Sequence, residues 1–410
     1  MPFCTWLLIL FFLECLILIR ARNYSFVCNE IEAYMDNPEN NSKCWFDPDV
    51  YADPVQRALN HGFLLKKHNV RTEDGWILTL FRLKNLKHSG QKNVIFLQHG
   101  LAADATCFMA NGNNSLAFIL AEEGYDVWMG NYRGTEFSSH QTLTPLNKKY
   151  WDFSLTELSI DLAAVIQFVH TKTKRKILYI GHSMGGTGGV IYLSTRPEEA
   201  KNYISHTILI QPAIFMSHTV GFFTLENIKT YYGLLQTMDY MNLNLYFSSN
   251  PDENLIFNIC VRSLADIKFC INLFDKILGT SMYPISPPKL PMALLAIRGV
   301  IYKLILHFSQ ILHSGEFKMF DYGTKGNLQV YNSTKPPFFD ITKIPTSVSW
   351  IYGETDALVP KRDILENFEK YRKPNWDIYG IPYNHGYFLF DEQVSKRFSN
   401  LLLKLIRKHI

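Results

Sequence analysis

The run Arg175-Lys176-Ile177-Leu178-Tyr179-Ile180-Gly181-His182-Ser183-Met184-Gly185-Gly186 decides how this chain folds. Four apolar residues, three of them β-branched or aromatic, pass directly into Gly-x-Ser-x-Gly and then into small residues. That order predicts a buried strand, a sharp turn and a helix. A side chain at Gly181 or Gly185 would collide with a turn tight enough to lift the Ser183 hydroxyl out of the sheet. Met184 would open the helix. Its backbone N–H, at the positive end of the helix dipole, would face an oxygen acquiring negative charge. A bare Gly-x-Ser-x-Gly arises by chance in many chains; the strand before it and Gly185-Gly186-Thr187-Gly188 after it make Ser183 a candidate nucleophile.

Working outward, residues 155–171 carry Leu158, Leu162, Val165, Ile166 and Val169 at helical spacing and lead into the strand before Ser183. Upstream, Asn93–Gln98 and Tyr125–Met129 read as strands, with a helix near Ser115–Glu123 between them whose N-cap is Ser115. Residues 68–83 read as a hairpin turning at Glu73-Asp74-Gly75, and a short helix is expected near Asp53–Asn60. Downstream, Ser347–Tyr352 and Trp376–Tyr379 are further strands, and residues 389–408 a terminal amphipathic helix. Strands alternating with helices at this interval predict an α/β fold with a mostly parallel sheet. Between them, residues 212–330 are dense in aromatics, leucine and methionine and lack a strand-then-glycine motif, which reads as an inserted, mainly helical cap. The expected organisation is a signal over 1–22, core over 23–211, cap over 212–330 and core again over 331–410.

The chain has 410 residues, 47% of them hydrophobic and 14% aromatic, enough for a large core and a surplus apolar surface. A net charge of +4 gives no reason to propose nucleic acid as a partner. Residues 3–19 are almost continuously apolar and end at Arg20-Ala21-Arg22, a length that fits a cleaved secretory signal better than a spanning helix. Past that signal five cysteines remain: Cys28, Cys44, Cys107, Cys260 and Cys270. The odd number requires a free thiol or an intermolecular bond. Cys260 and Cys270 are close enough in sequence for a local disulfide, with Cys28–Cys44 a second pairing. Sequons at Asn23, Asn40 and Asn332 fit an exported chain, whereas the one at Asn113 is expected to open a helix near the site. No His/Cys cluster has metal-ligand spacing, so neither a metal nor a cofactor is expected.

A serine hydroxyl is a poor nucleophile until a base takes its proton, and the resulting imidazolium needs a carboxylate to orient it. In an α/β-hydrolase these follow in the order Ser, acid, His, on loops at strand ends. Asp356, just past Ser347–Tyr352, and His385, after the Gly380-Ile381-Pro382 turn, meet both conditions. Glu354 is the competing acid, and His182, adjacent to the serine at a turn where side chains diverge, is assigned a structural role. The second oxyanion donor belongs on the loop after an early strand, where Gln98-His99-Gly100-Leu101 offers the Leu101 N–H beside that of Met184.

From about residue 60 onwards the chain resembles the acid lipases, which include gastric lipase, lysosomal acid lipase and many insect digestive lipases. The stretches that carry the resemblance include Thr72–Leu78, Phe96–Leu101, Asn114–Ala121, Tyr125–Asn131, Tyr150–Ser154, Gly181-His182-Ser183 and Lys335-Pro336-Pro337. It implies an α/β-hydrolase core, a cap with a mobile lid, a Cys260–Cys270 bridge in that cap and hydrolysis of neutral lipid esters. It maps nucleophile, acid and base onto Ser183, Asp356 and His385, and the oxyanion donors onto Leu101 and Met184. The chain departs from the family at Met184, where vertebrate members have glutamine, and at Gly186. It departs again at Gly386-Tyr387, where many members have leucine and aspartate. The expectation is a secreted or lysosomal serine lipase, a monomer acting on neutral lipid esters at a lipid-droplet or micelle surface. A short-chain esterase or thioesterase, or an inactive lipid-binding protein, are the alternatives.

Overall fold

Nine strands form the main sheet: β1 (Phe63–Arg71), β2 (Trp76–Asn85), β3 (Val94–Gln98), β4 (Asp126–Gly130), β5 (Ile177–His182), β6 (Ile204–Ile210), β7 (Ser347–Gly353), β8 (Trp376–Ile381) and a short strand, Ser138–His140, paired to β2. The spatial order is β8-β7-β6-β5-β3-β4-β2-β1. From β8 to β4 all neighbours are parallel, and β2 and β1 close that end as antiparallel strands. This is a computed structural model, and it describes residues 25–85, 93–221, 224–241, 245–246, 251–281 and 285–409. The expected signal over 1–22 and the Asn23 sequon lie outside the described residues.

Helices α1 (Pro54–Asn60), α2 (Leu116–Glu122), α3 (Leu158–Thr173) and α4 (Met184–Thr195) come before β6. Between β6 and β7 lie α5 (Leu225–Tyr240), α6 (Leu264–Leu278), α7 (Leu290–Leu295) and α8 (Tyr302–Ser314), and α9 (Lys361–Tyr371) and α10 (Glu392–His409) follow β7. The sheet is covered on both faces, which explains why its central strands read as unbroken apolar runs. Val94 and Phe96 of β3 join one core with α3, α4 and α9, while Ile95 and Leu97 join the other with α1, α2 and α10. Among the described residues between β6 and β7, helices and short paired strands replace the βα alternation. Phe257, Ile267, Leu290 and Leu294 there build a third core.

Several readings change in detail. Ser115 stands at the N-cap of α2, but its hydroxyl accepts the Asn111 N–H at 2.9 Å instead of capping the helix. The hairpin begins at Phe63, earlier than its alternation shows. β6 was not anticipated, although Ile208-Leu209-Ile210 is an apolar run of the right kind. The first described residues hold an antiparallel pair, Phe26–Cys28 with Cys44–Phe46, and a Cys28–Cys44 disulfide. They are docked on the segment between β6 and β7: Val27 enters the third core, and the Tyr34 hydroxyl donates to the Pro287 carbonyl at 2.9 Å. Cys260 and Cys270 form the second disulfide, and Cys107 is a free, buried thiol. Asn40 and Asn332 are exposed, while Asn113 Oδ1 is held by the His61 ring at 2.6 Å. No described helix is long and apolar enough to cross a membrane.

Candidate active site

The parallel strands β3, β5, β7 and β8 bring their carboxyl ends to one edge, where ligands bind in open α/β sheets. β5 delivers Ser183 there with φ 53° and ψ −119°, a strained left-handed conformation for a residue with a side chain. The strain is held from several directions. The Ser183 N–H donates to the Ile210 carbonyl at 2.9 Å, and the Tyr179 hydroxyl donates to the Gly185 carbonyl at 2.6 Å. The two flanking glycines are needed for room. A Cβ on Gly181 would sit 2.5 Å from the Gly185 oxygen, and one on Gly185 2.3 Å from the Gln98 oxygen.

The structure brings Ser183, His385 and Asp356 together. Ser183 Oγ lies 2.7 Å from His385 Nε2, and His385 Nδ1 lies 2.7 Å from Asp356 Oδ2. The other carboxylate oxygen of Asp356 accepts the Leu358 and Val359 N–H groups at 2.9 and 2.8 Å. An ionised carboxylate can only accept, so it fixes the proton on Nδ1 and leaves Nε2 free to accept from the serine. All three side chains are buried. Glu354, the competing acid, is exposed and paired to Lys361 at 2.7 Å.

His182 has a role that its position in the motif does not reveal. Its Nε2 donates to the His385 carbonyl at 2.8 Å, and its ring meets Phe388 edge-on. Burial, with the neighbouring His385, drives its pKa down to about 3, so it stays neutral beside the His385 ring. Gln211 Nε2 donates to the Asn384 carbonyl at 2.9 Å, a second hold on the same loop. Neither contact has a sequence signature, because each ends on a backbone oxygen.

The loop after β3 runs against the serine: a Cβ on Gly100 would sit 3.1 Å from Ser183 Cβ. His99 fixes the turn, its Nδ1 at 2.8 Å from the Gly100 oxygen and its Nε2 accepting the Tyr132 N–H at 3.3 Å. Ala102 adopts φ 56° next to Leu101, and the segment between β6 and β7 clamps it there. The Arg298 N–H donates to the Ala102 oxygen at 2.9 Å, and its guanidinium pairs with buried Asp104 at 2.7 Å. Met184 begins α4, so its N–H belongs to the helix-start donors that lack an intrahelical acceptor.

A cavity of about 350 Å³ opens over Ser183 and His385, within the range of ligand pockets. Leu101, Met216, Phe274, Leu278, Leu294 and Phe308 are among its walls. Two other hydroxyl-bearing residues there are already bonded, Ser309 to the Ile305 carbonyl and Tyr387 to Asp275. Cys107 also lines it, its thiol pushed well up by burial and therefore uncharged. The chamber's predominantly apolar walls suit an apolar chain. Among the described residues, no group of three or more His, Cys, Asp or Glu could hold a metal ion.

Comparison with known proteins agrees with this architecture. Residues 55–112 match a partial alpha/beta-hydrolase lipase region, and residues 93–235 match the alpha/beta hydrolase fold. Gastric triacylglycerol lipase of Rattus norvegicus is 30% identical over 381 residues, covering 88% of this chain and 93% of that protein. The Mus musculus gastric enzyme is 31% identical over 360 residues, covering 84% and 89%. Lipase member N of Homo sapiens is 29% identical over 381 residues, covering 88% and 93%. Among solved structures, a putative lipase from Sulfolobus solfataricus shares the fold at TM-score 0.57 and 15% identity, covering 85% of this chain and 95% of that one.

Proposed function

We propose, from the premise that this chain belongs to the acid lipase family and is a lipase acting on carboxylic esters, that Ser183 is its nucleophile, His385 its base and Asp356 the orienting acid. The observation that carries this reading is the Ser183–His385–Asp356 relay, both links 2.7 Å, opening into a predominantly apolar chamber.

Ser183 Oγ attacks the ester carbonyl as its proton passes to His385 Nε2. Asp356 stabilises the imidazolium. The carbonyl oxygen, now negative, is received by the Leu101 and Met184 N–H groups, each worth about 10²–10³ in rate. His385 then protonates the departing alkoxide, leaving an acyl-enzyme. Water, deprotonated by the same histidine, attacks that ester, and His385 returns the proton to Ser183 Oγ as the acyl–oxygen bond breaks and the carboxylic acid leaves.

The substrate is a neutral lipid ester with long acyl chains, triacylglycerol foremost. Each methylene buried in the chamber contributes about 0.8 kcal/mol, which favours long chains over short. Residues 212–330 serve as cap and lid, and the enzyme works as a secreted or lysosomal monomer at a lipid-droplet or micelle surface. It carries N-glycans at Asn23, Asn40 and Asn332 and loses residues 1–22 on export.

The test is release of fatty acid from emulsified long-chain triacylglycerol by the mature protein and by Ser183→Ala. The expected result is clear release that falls at least about 10⁴-fold in the variant. Cleavage of soluble short esters alone would replace the lipase reading with that of a short-chain esterase.

A further inference from the structure

The carbonyl end of α6 lies on the two loops that bear Asp356 and His385. The Leu278 oxygen accepts both the His385 N–H, at 3.0 Å, and the Ala357 N–H, at 3.3 Å. The Gly279 oxygen accepts the Asn384 side-chain amide at 2.8 Å. Asn384 Oδ1 in turn accepts the Gly386 and Tyr387 N–H groups at 3.2 and 3.0 Å. One turn back along α6, Asp275 accepts the Tyr387 hydroxyl. Gly279 leaves the helix at φ +103°, and a Cβ there would sit 1.9 Å from the Thr355 carbonyl oxygen, so the two backbones meet with no room for a side chain. The last carbonyls of a helix lack intrahelical donors and must find them elsewhere. Here they find them in the acid and base loops.

We infer that the end of α6 is a positioning element for the acid and base, with Asp275 and Tyr387 as its side-chain lock. The inference rests on the triad reading above. Burial and the adjacent carboxylate both push the Tyr387 hydroxyl far above its usual range, so it remains a donor. The lock acts at one remove from the reacting atoms. It holds the loop whose backbone carries His385, and a misplacement of about 1 Å at a base can cost up to about 10²-fold.

The test compares the mature chain with Tyr387→Phe, Asp275→Ala, the double variant and Asp275→Asn on a soluble short-chain ester. Active sites are counted by fluorophosphonate labelling, and Ser183→Ala is run alongside. The expected result is a fall of about 10-fold in kcat per labelled site for Tyr387→Phe and Asp275→Ala, with KM within about twofold. The double variant should be no worse than either single one, because both remove the same bond. Asp275→Asn should keep most of the rate, since its amide oxygen still accepts the hydroxyl. A lower melting temperature with unchanged kcat per labelled site, or losses that multiply in the double variant, would overturn the inference. Tyr387→Phe and Asp275→Asn alter so few atoms that they decide the matter if Asp275→Ala does not fold. Near-wild-type activity in Ser183→Ala would instead sink the triad reading, leaving the two failures distinct.

Discussion

Ser183 and His385 meet at 2.7 Å yet are held in different ways. Ser183 is fixed by the core: Tyr179, Gly181 and Gly185, all within four residues of it, shape its turn, and Ile210 of the neighbouring strand β6 takes its N–H. The His385 loop is gripped from two sides. His182 and Gln211 reach it from the core, while Leu278 and Gly279 reach it from the cap. The nucleophile is thus set by local sterics, and the base by backbone contacts between segments distant in sequence. Damage to the two should separate accordingly.

The hardest blow to the first arrangement is Gly185→Ala. The new Cβ would lie 2.3 Å from the Gln98 oxygen and 2.8 Å from the His99 oxygen, backbone atoms that cannot retreat without pulling the Leu101 loop with them. Both the nucleophile and one oxyanion donor would shift. Ester hydrolysis should fall by at least about 10²-fold, and fluorophosphonate labelling of Ser183 should fall with it. Near-native labelling would mean that the elbow yields to crowding, and the contrast between the two halves would fail.

The cap's side of the comparison can be probed through its disulfide. Cys260–Cys270 anchors α6, and Cys28–Cys44 clasps the leader hairpin. Chain-entropy reasoning assigns each loop a similar stabilisation, about 3 kcal/mol. Replacing either pair with serine should therefore lower thermal stability by similar amounts. Only the Cys260/Cys270 variant should also lose turnover on a soluble ester, by about threefold at temperatures where both remain folded, because only that bridge is on the helix that supports His385. Equal turnover in the two would place α6 outside the active-site scaffold.

How much of this was legible follows the same division. The elbow could be read because its demands fall within one short run: a β-rich strand, Gly181, Ser183, Gly185, then small residues. Asp356 and His385 could be read from chain order and from the strands that precede them. The supports could not. Leu278 acts through its carbonyl, which every residue possesses, and Arg298 reaches Ala102 from far along the chain. Tyr387 was visible as a departure from the acid lipases, but its meaning required Asp275, which lies on another helix. β6 lacks a clear signal because its polar residues Ser205, His206 and Thr207 interrupt the apolar run between Ile204 and Ile208–Ile210.

The smallest expected effect concerns the core's own grip on the base loop, which carries a titratable group. His182 is neutral in the folded protein, its pKa driven down to about 3 by burial and by His385, whereas in the unfolded chain it titrates near 6.5. Between those values only the unfolded state takes up the proton, so stability is lost as pH falls through about 6.5. Taken from pH 7 to pH 5, that linkage is worth about 2 kcal/mol for this one residue. His206 and His307, driven down by burial to about 3 and about 4, act in the same direction. His61 opposes them: burial lowers it, but Asp49 and Asn113, one on each ring nitrogen, outweigh that and raise it, so its contribution is lost as pH rises. Whole-protein curves therefore mix opposing signs, and the comparison must be made by difference. His182→Gln places an amide donor near the His385 carbonyl without a group that titrates. Unfolding by denaturant at pH 7 and pH 5 should show the variant losing about 2 kcal/mol less than the wild type on acidification. Parallel losses would mean that His182 is protonated in both states, and that the core holds the base loop with a charge that the imidazolium at His385 would have to face.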